Sequence, residues 1–134
     1  MNRSLIDTDI LSYFFKGIPS VVSGFQKYLN EYDQIEISII SVYEIRSGLF
    51  AKGALKQLAE FERFLLGCNV IPLSDQSVKI SAEIYGKLKK EGQRLDDIDL
   101  LIAGIALENG FSLVTNNLKH FSRIPGLSVE NWNS

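Results

Sequence analysis

Short apolar runs alternate with longer segments of helical period along the whole chain, and this alternation narrows the possible folds more than any other feature. Residues 4–6, 35–40, 69–73 and 111–115 are brief apolar runs, several of them β-branched, with a weaker last run at 127–130. Between them, residues 9–15, 21–32, 54–66, 78–91 and 100–108 carry helical spacing, and a further helix opens at Ser41 and runs toward Gly48. Gly17 and Pro19 stop the first of these helices, and Asn109-Gly110 stops the last. Strands separated by helices pair in parallel, with helices on both faces. The pattern predicts a three-layer α/β sandwich with a short, mostly parallel sheet. Such sheets bind ligands at the carboxyl ends of their strands, where segments distant in sequence converge.

Composition fits that reading. The 134 residues have the length of one domain, read here as 1–134. Hydrophobic residues make up 46%, enough for a core, and 22% charged residues argue for a wet exterior. No apolar run approaches the ~20 residues of a membrane span. The first acid, Asp7, comes too early for a signal peptide. Cys68 is the single cysteine and has no disulfide or metal-site partner, so a cytoplasmic protein is expected. Net charge is −2, which argues mildly against nucleic-acid binding by the molecule as a whole. Basic stretches remain locally, at Lys87, Lys89, Lys90 and Arg94 and again at Lys119, His120 and Arg123.

The acids fall at telling places. Asp7, Glu44 and Asp99 each sit at the junction between an apolar, strand-like run and the start of a helix-like segment, and Thr115-Asn116-Asn117 follows the run at 111–114. Singly, each acid has a structural use. Asp7 can cap a helix, Glu44 completes a Ser41-Val42-Tyr43-Glu44 capping box, and Asp99 suits the positive end of a helix dipole. Together they line one sheet edge, where carboxylates repel one another unless a cation sits between them. All-oxygen ligands suit Mg²⁺, with Mn²⁺ as a substitute. Asp9 and Asp97, each two residues from a primary acid, are candidates for supporting positions, as is Thr115.

These motifs resemble those of PIN-domain ribonucleases. Leu5-Ile6-Asp7-Thr8-Asp9-Ile10-Leu11 resembles their opening motif and Ser41-Val42-Tyr43-Glu44-Ile45 their second. Asp97-Ile98-Asp99-Leu100-Leu101-Ile102-Ala103 resembles the third, and Leu113-Val114-Thr115-Asn116-Asn117, followed by His120-Phe121, the fourth. The ending, from Ile124-Pro125-Gly126 to Asn131-Trp132, is similar to that of VapC-type toxins of bacterial toxin–antitoxin pairs. The resemblance implies a Mg²⁺-dependent endoribonuclease that hydrolyses RNA phosphodiesters to 5′-phosphate and 3′-hydroxyl ends. It implies metal binding by Asp7, Glu44 and Asp99. Asn116 stands where many relatives carry an Asp, and is a fourth catalytic candidate. Lys89, Lys90, Arg94 and Lys119 are candidates for RNA backbone contacts, and His120 for packing or a rim contact. A cognate antitoxin and a homodimer are implied partners, with Phe14, Phe15, Phe25, Phe61, Phe64 and Leu65 as surface or core.

Three rival readings differ in chemistry. Asp7-Thr8-Asp9 imitates the D-x-D motif of haloacid-dehalogenase-type phosphatases, in which the first Asp is the nucleophile. That family also needs a lysine after a later strand, and none stands out here. A receiver-like signalling domain needs a phospho-accepting Asp at the end of its third strand; here Asp75 lies inside a helix start instead. A PIN domain that binds RNA or a partner without cutting is motivated by Asn116 alone.

Overall fold

The computed structural model describes residues 1–134. Five short strands form one sheet: β1 (Ser4–Ile6), β2 (Glu36–Ser38), β3 (Asn69–Ile71), β4 (Ser112–Val114) and β5 (Val129–Glu130). Their order is β3-β2-β1-β4-β5 and every pairing is parallel, so β3 and β5 form the edges. Successive strands add outward from β1 on one side, then on the other. The reversal between β1 and β4 makes a crevice at the carboxyl ends of those two strands. Leu5 pairs with Leu113 and Ile6 with Val114, which sets Asp7 beside Thr115 one residue further on.

Side chains alternate across the strands and build two cores. Leu5 and Leu113 pack with Ile84, Leu88, Ile102 and Ile105 from α5 (Asp75–Lys90) and α6 (Asp97–Asn109). Ile6 and Val114 face the other way, onto Ile10, Leu11, Val21, Phe25 and Phe61 from α1 (Thr8–Phe15), α2 (Pro19–Glu31) and α4 (Leu55–Leu65). These are the two helical layers that the sequence pattern requires. The aromatic residues divide between the roles expected of them. Phe25 and Phe61 are core, whereas Phe15 remains 46% exposed. No helix is long and apolar enough to cross a membrane.

Three helix boundaries depart from the sequence reading. Pro19 does not merely stop a helix but occupies the first turn of α2, where its missing N–H costs nothing. The helix expected to run from Ser41 toward Gly48 is α3 (Ile39–Lys52); it passes through Gly48 and ends at Gly53, whose φ of 65° suits glycine. A short α7 (Leu118–Phe121) follows the Thr115–Asn117 turn, and four residues are too few for a periodic signal. At the C-terminus, Trp132 lies over Gly24 of α2 and packs edge-on against Phe25.

Candidate active site

Each acid reaches the switch-point crevice by its own route. Asp7 directly follows β1 and caps α1 from an extended backbone. It is 7% exposed. Its Oδ1 accepts the Thr8 N–H at 2.8 Å, and its Oδ2 accepts the Thr115 hydroxyl at 2.8 Å. The second bond ties β1 to β4 across the crevice. Thr115 thus holds Asp7 in place.

Glu44 sits within α3, and its setting differs from the capping box read in the sequence. Ser38 is the cap, accepting the Ser41 N–H at 3.0 Å, so Glu44 falls in the second turn. Its carboxylate is released from backbone duty and instead accepts the Thr8 hydroxyl at 2.5 Å. Asp99 lies in the first turn of α6, half-buried, with His120 Nδ1 3.9 Å from its Oδ2. His120 lies in turn 2.7 Å from the amide nitrogen of Asn117.

Asp9 is closer to the centre than its spacing suggests. Two residues apart on a helix point in different directions, but Asp7 is a cap and lies off the helical path. Asp9 Oδ2 accepts the backbone N–H of Asn116 at 3.1 Å, which brings it back over the crevice. The Asn116 side chain turns elsewhere: its Oδ1 accepts from Asn131 Nδ2 at 3.1 Å and Asn133 Nδ2 at 3.2 Å. Asn116 therefore reaches the acids through its backbone. Asp97 is the first residue of α6 and lines a neighbouring groove with Asp96, Lys89 and Arg94. Lys90 and Lys119 are exposed.

The electrostatics record the crowding. Burial raises Asp7 to about 7, the charge of Asp9 adds to the rise, and the bonds from Thr115 and Thr8 oppose it. Burial also raises Asp9, against the donated N–H groups of Asn116 and Ile10, while Glu44 pushes it further up. Asp99 is raised by burial and then by Asp96, with His120 working the other way and Glu44 and Asp9 adding repulsion. Asp7, Asp9, Glu44 and Asp99 thus share one electrostatic centre.

The carboxylates do not form a ready-made cage. No three His, Cys, Asp or Glu groups are disposed to hold an ion in this arrangement. The physical reason lies in their partners, since Asp7, Asp9 and Glu44 each turn to a protein donor and every buried side-chain polar atom is satisfied. The donor chemistry still fits a hard dication: several oxygens, no sulfur, and like charges that a cation would relieve. No lysine hydrogen-bonds or ion-pairs with any of these acids, which removes a requirement of the phosphatase reading.

The PIN domain family matches residues 4–127 of this chain. The chain belongs to that family. Among PIN-domain relatives, Ribonuclease VapC2 of Rickettsia felis is 31% identical over 129 residues, 96% of each chain. The tRNA(fMet)-specific endonuclease VapC of Salmonella typhimurium is 29% identical, covering 98% of this chain and 99% of that protein. Solved structures agree. The VapBC2 complex of R. felis bound to a promoter DNA fragment contains a chain that superposes with a TM-score of 0.88 at 30% identity, over 96% of this chain and 98% of that one. DNA-bound VapBC from S. typhimurium gives 0.86 at 28%, over 98% and 99%.

Proposed function

We propose that this PIN-domain protein is a Mg²⁺-dependent endoribonuclease and the toxin of a toxin–antitoxin pair, acting in the cytoplasm as one catalytic domain over residues 1–134. The observation that carries the proposal is the convergence of Asp7, Asp9, Glu44 and Asp99 on the β1/β4 crevice, where burial and neighbouring charge raise Asp7, Asp9 and Asp99. The ribonuclease names of its relatives support the substrate class, and their VapBC complexes support a protein antitoxin as partner; a homodimeric toxin is part of the same proposal.

Asp7, Glu44 and Asp99 would hold the metal, with Asp9 as a fourth oxygen donor in reach. Bound there, Mg²⁺ supplies an acidified water and a counter-charge for the phosphate; Mn²⁺ suits the same oxygens. The chain's own residues do the positioning. Thr8 fixes Glu44, Thr115 fixes Asp7, and the Asn116 N–H fixes Asp9. Lys89, Lys90, Arg94 and Lys119 face the approaching polyanion and draw the backbone toward the crevice.

The direct test is cleavage of a structured RNA mixture by purified protein with Mg²⁺, with EDTA, and with Asp7→Asn. Metal-dependent cutting that vanishes in the variant is expected. A folded, partner-free protein that cuts nothing would overturn the activity.

A further inference from the structure

Next to the acidic centre lies a groove that the metal chemistry does not use. It runs between the end of α5, the 91–96 loop and the start of α6, and holds about 790 Å³, within the ~300–1,000 Å³ usual for small-molecule sites. Its floor is apolar, formed by Leu88, Leu95 and Leu100. His120 lines it and also stands 3.9 Å from Asp99, so the groove opens onto the acids.

Its rim mixes charges in a way that a phosphate track would not. Lys89 and Arg94 line it. Arg123 Nη1 donates to the Arg94 carbonyl at 3.4 Å. Yet Asp96 and Asp97 line the same groove. Asp96 is the N-cap of α6 but makes no side-chain capping bond, so its carboxylate is not committed to the helix. Neither acid has a side-chain partner elsewhere in the protein. Carboxylates in a basic rim repel phosphate but accept hydrogen bonds from a base. Guanine alone among the RNA bases offers two parallel donors, N1–H and an N2–H, matched to the two oxygens of a carboxylate.

We infer that this groove is a specificity subsite for an unpaired guanine, its ring over the leucine floor and its donor edge read by Asp96 or Asp97, while Lys89 and Arg94 take the flanking phosphates. Bases unstacked from single-stranded RNA are read in this way, through their Watson–Crick edge. The inference rests on the ribonuclease reading above and narrows it to RNA with an unpaired guanine beside the cut.

The test uses full-length Asp7→Asn protein in Mg²⁺ and fluorescence anisotropy with end-labelled octauridylate carrying one central G, A, C or U. The G oligomer is expected to bind about tenfold tighter than the U oligomer, the discrimination of one bidentate contact. Adding Asp96→Ala and Asp97→Ala together removes the G-over-U preference, while the gain from lost repulsion of phosphate appears equally in all four oligomers. A merely electrostatic effect of these acids on Asp99 would shift all four oligomers alike. Circular dichroism of the variant checks the fold. GMP titrated into isotope-labelled protein is expected to move the amide signals of residues 93–97 and not those of Gly126 and Ser128, which line a second groove at the other end of the sheet. Four equal affinities, or a G preference that survives the double substitution, would overturn the subsite while leaving the ribonuclease in place. Binding of no oligomer at all would remove the ribonuclease reading and the subsite with it.

Discussion

Neutralising Asp7 is expected to abolish metal-dependent function and at the same time stabilise the metal-free protein. Asp7 rises from its ordinary 3.8 to about 7 because burial and the charge of Asp9 disfavour its ionised form. An acid with a raised folded-state pKa leaves stability intact below its unfolded pKa. Between about 4 and 7 the folded state keeps a proton that the unfolded state has released, so stability falls as pH rises. Above 7 both states are ionised and the full penalty applies. Three pH units correspond to about 4 kcal/mol at 1.36 kcal/mol per unit.

Asp7→Asn removes that charge but not without loss. An amide has one acceptor oxygen, whereas Asp7 accepts from both the Thr8 N–H and the Thr115 hydroxyl. Losing one charge-assisted hydrogen bond costs about 1.5–3 kcal/mol. The net gain at pH 8 is therefore on the order of 1–2 kcal/mol, a Tm rise of roughly 3–8 °C for a chain of this length. Thermal denaturation followed by circular dichroism in EDTA, at pH 5 and pH 8, provides the assay. The variant should gain on the parent as pH rises, and adding Mg²⁺ should raise the Tm of the parent far more than that of the variant. A variant less stable than the parent at pH 8, or a difference that does not change between the two pH values, would refute the repulsion argument.

Two packing predictions follow from close approaches. A Cβ on Gly104 would sit 2.5 Å from the Ser77 carbonyl and against the Ser81 hydroxyl, so Gly104→Ala should force α5 and α6 apart and lower stability by about 2–3 kcal/mol in urea denaturation. A Cβ on Gly24 would come within 2.6 Å of the Trp132 ring, so Gly24→Ala should lift the C-terminal segment; emission of the only tryptophan should shift to the red, with about 1–3 kcal/mol of stability lost.

How much of this was legible in the sequence depends on the range of the interaction. The α/β alternation and the two-sided core follow from local periodicity, and Leu5/Leu113 against Ile6/Val114 is the alternation that a parallel sheet requires. Asp7 and Thr115 stood out because each follows an apolar run, and parallel register then sets them side by side. Glu44 stands out as an acid at a junction, and the capping box that offers it a merely structural use does not operate here. The chain already has a cap at Ser38, and a residue that looks like the fourth member of a capping box instead faces Thr8 on another helix. The bond from the Asn116 N–H to Asp9 spans 107 positions, and the Asn116 side chain is itself held by Asn131 and Asn133. No periodicity encodes that contact. Pro19 carries the same lesson at short range: proline both ends one helix and starts the next, and only the chain direction after Ile18 decides between them.

The arrangement at position 116 shows why an amide suffices where a carboxylate would add to the strain. Asn116 Oδ1 has two amide donors to accept, from Asn131 and Asn133, and a carboxylate would serve them equally well. It would also place a further negative charge on the residue whose N–H holds Asp9, in a centre where Asp7, Asp9 and Asp99 are already raised. The neutral side chain keeps the mechanical link without that charge. Trp132 seated on Gly24 anchors the tail to α2, the tail's two amides fix Asn116, and the Asn116 backbone fixes Asp9. Each contact in that series is short and directional except the first, which is packing against a position that only glycine can occupy without displacing the ring. Order at the C-terminus and order at the acidic centre are thus coupled through one turn, and the uncharged side chain of residue 116 keeps that coupling without adding charge to the centre.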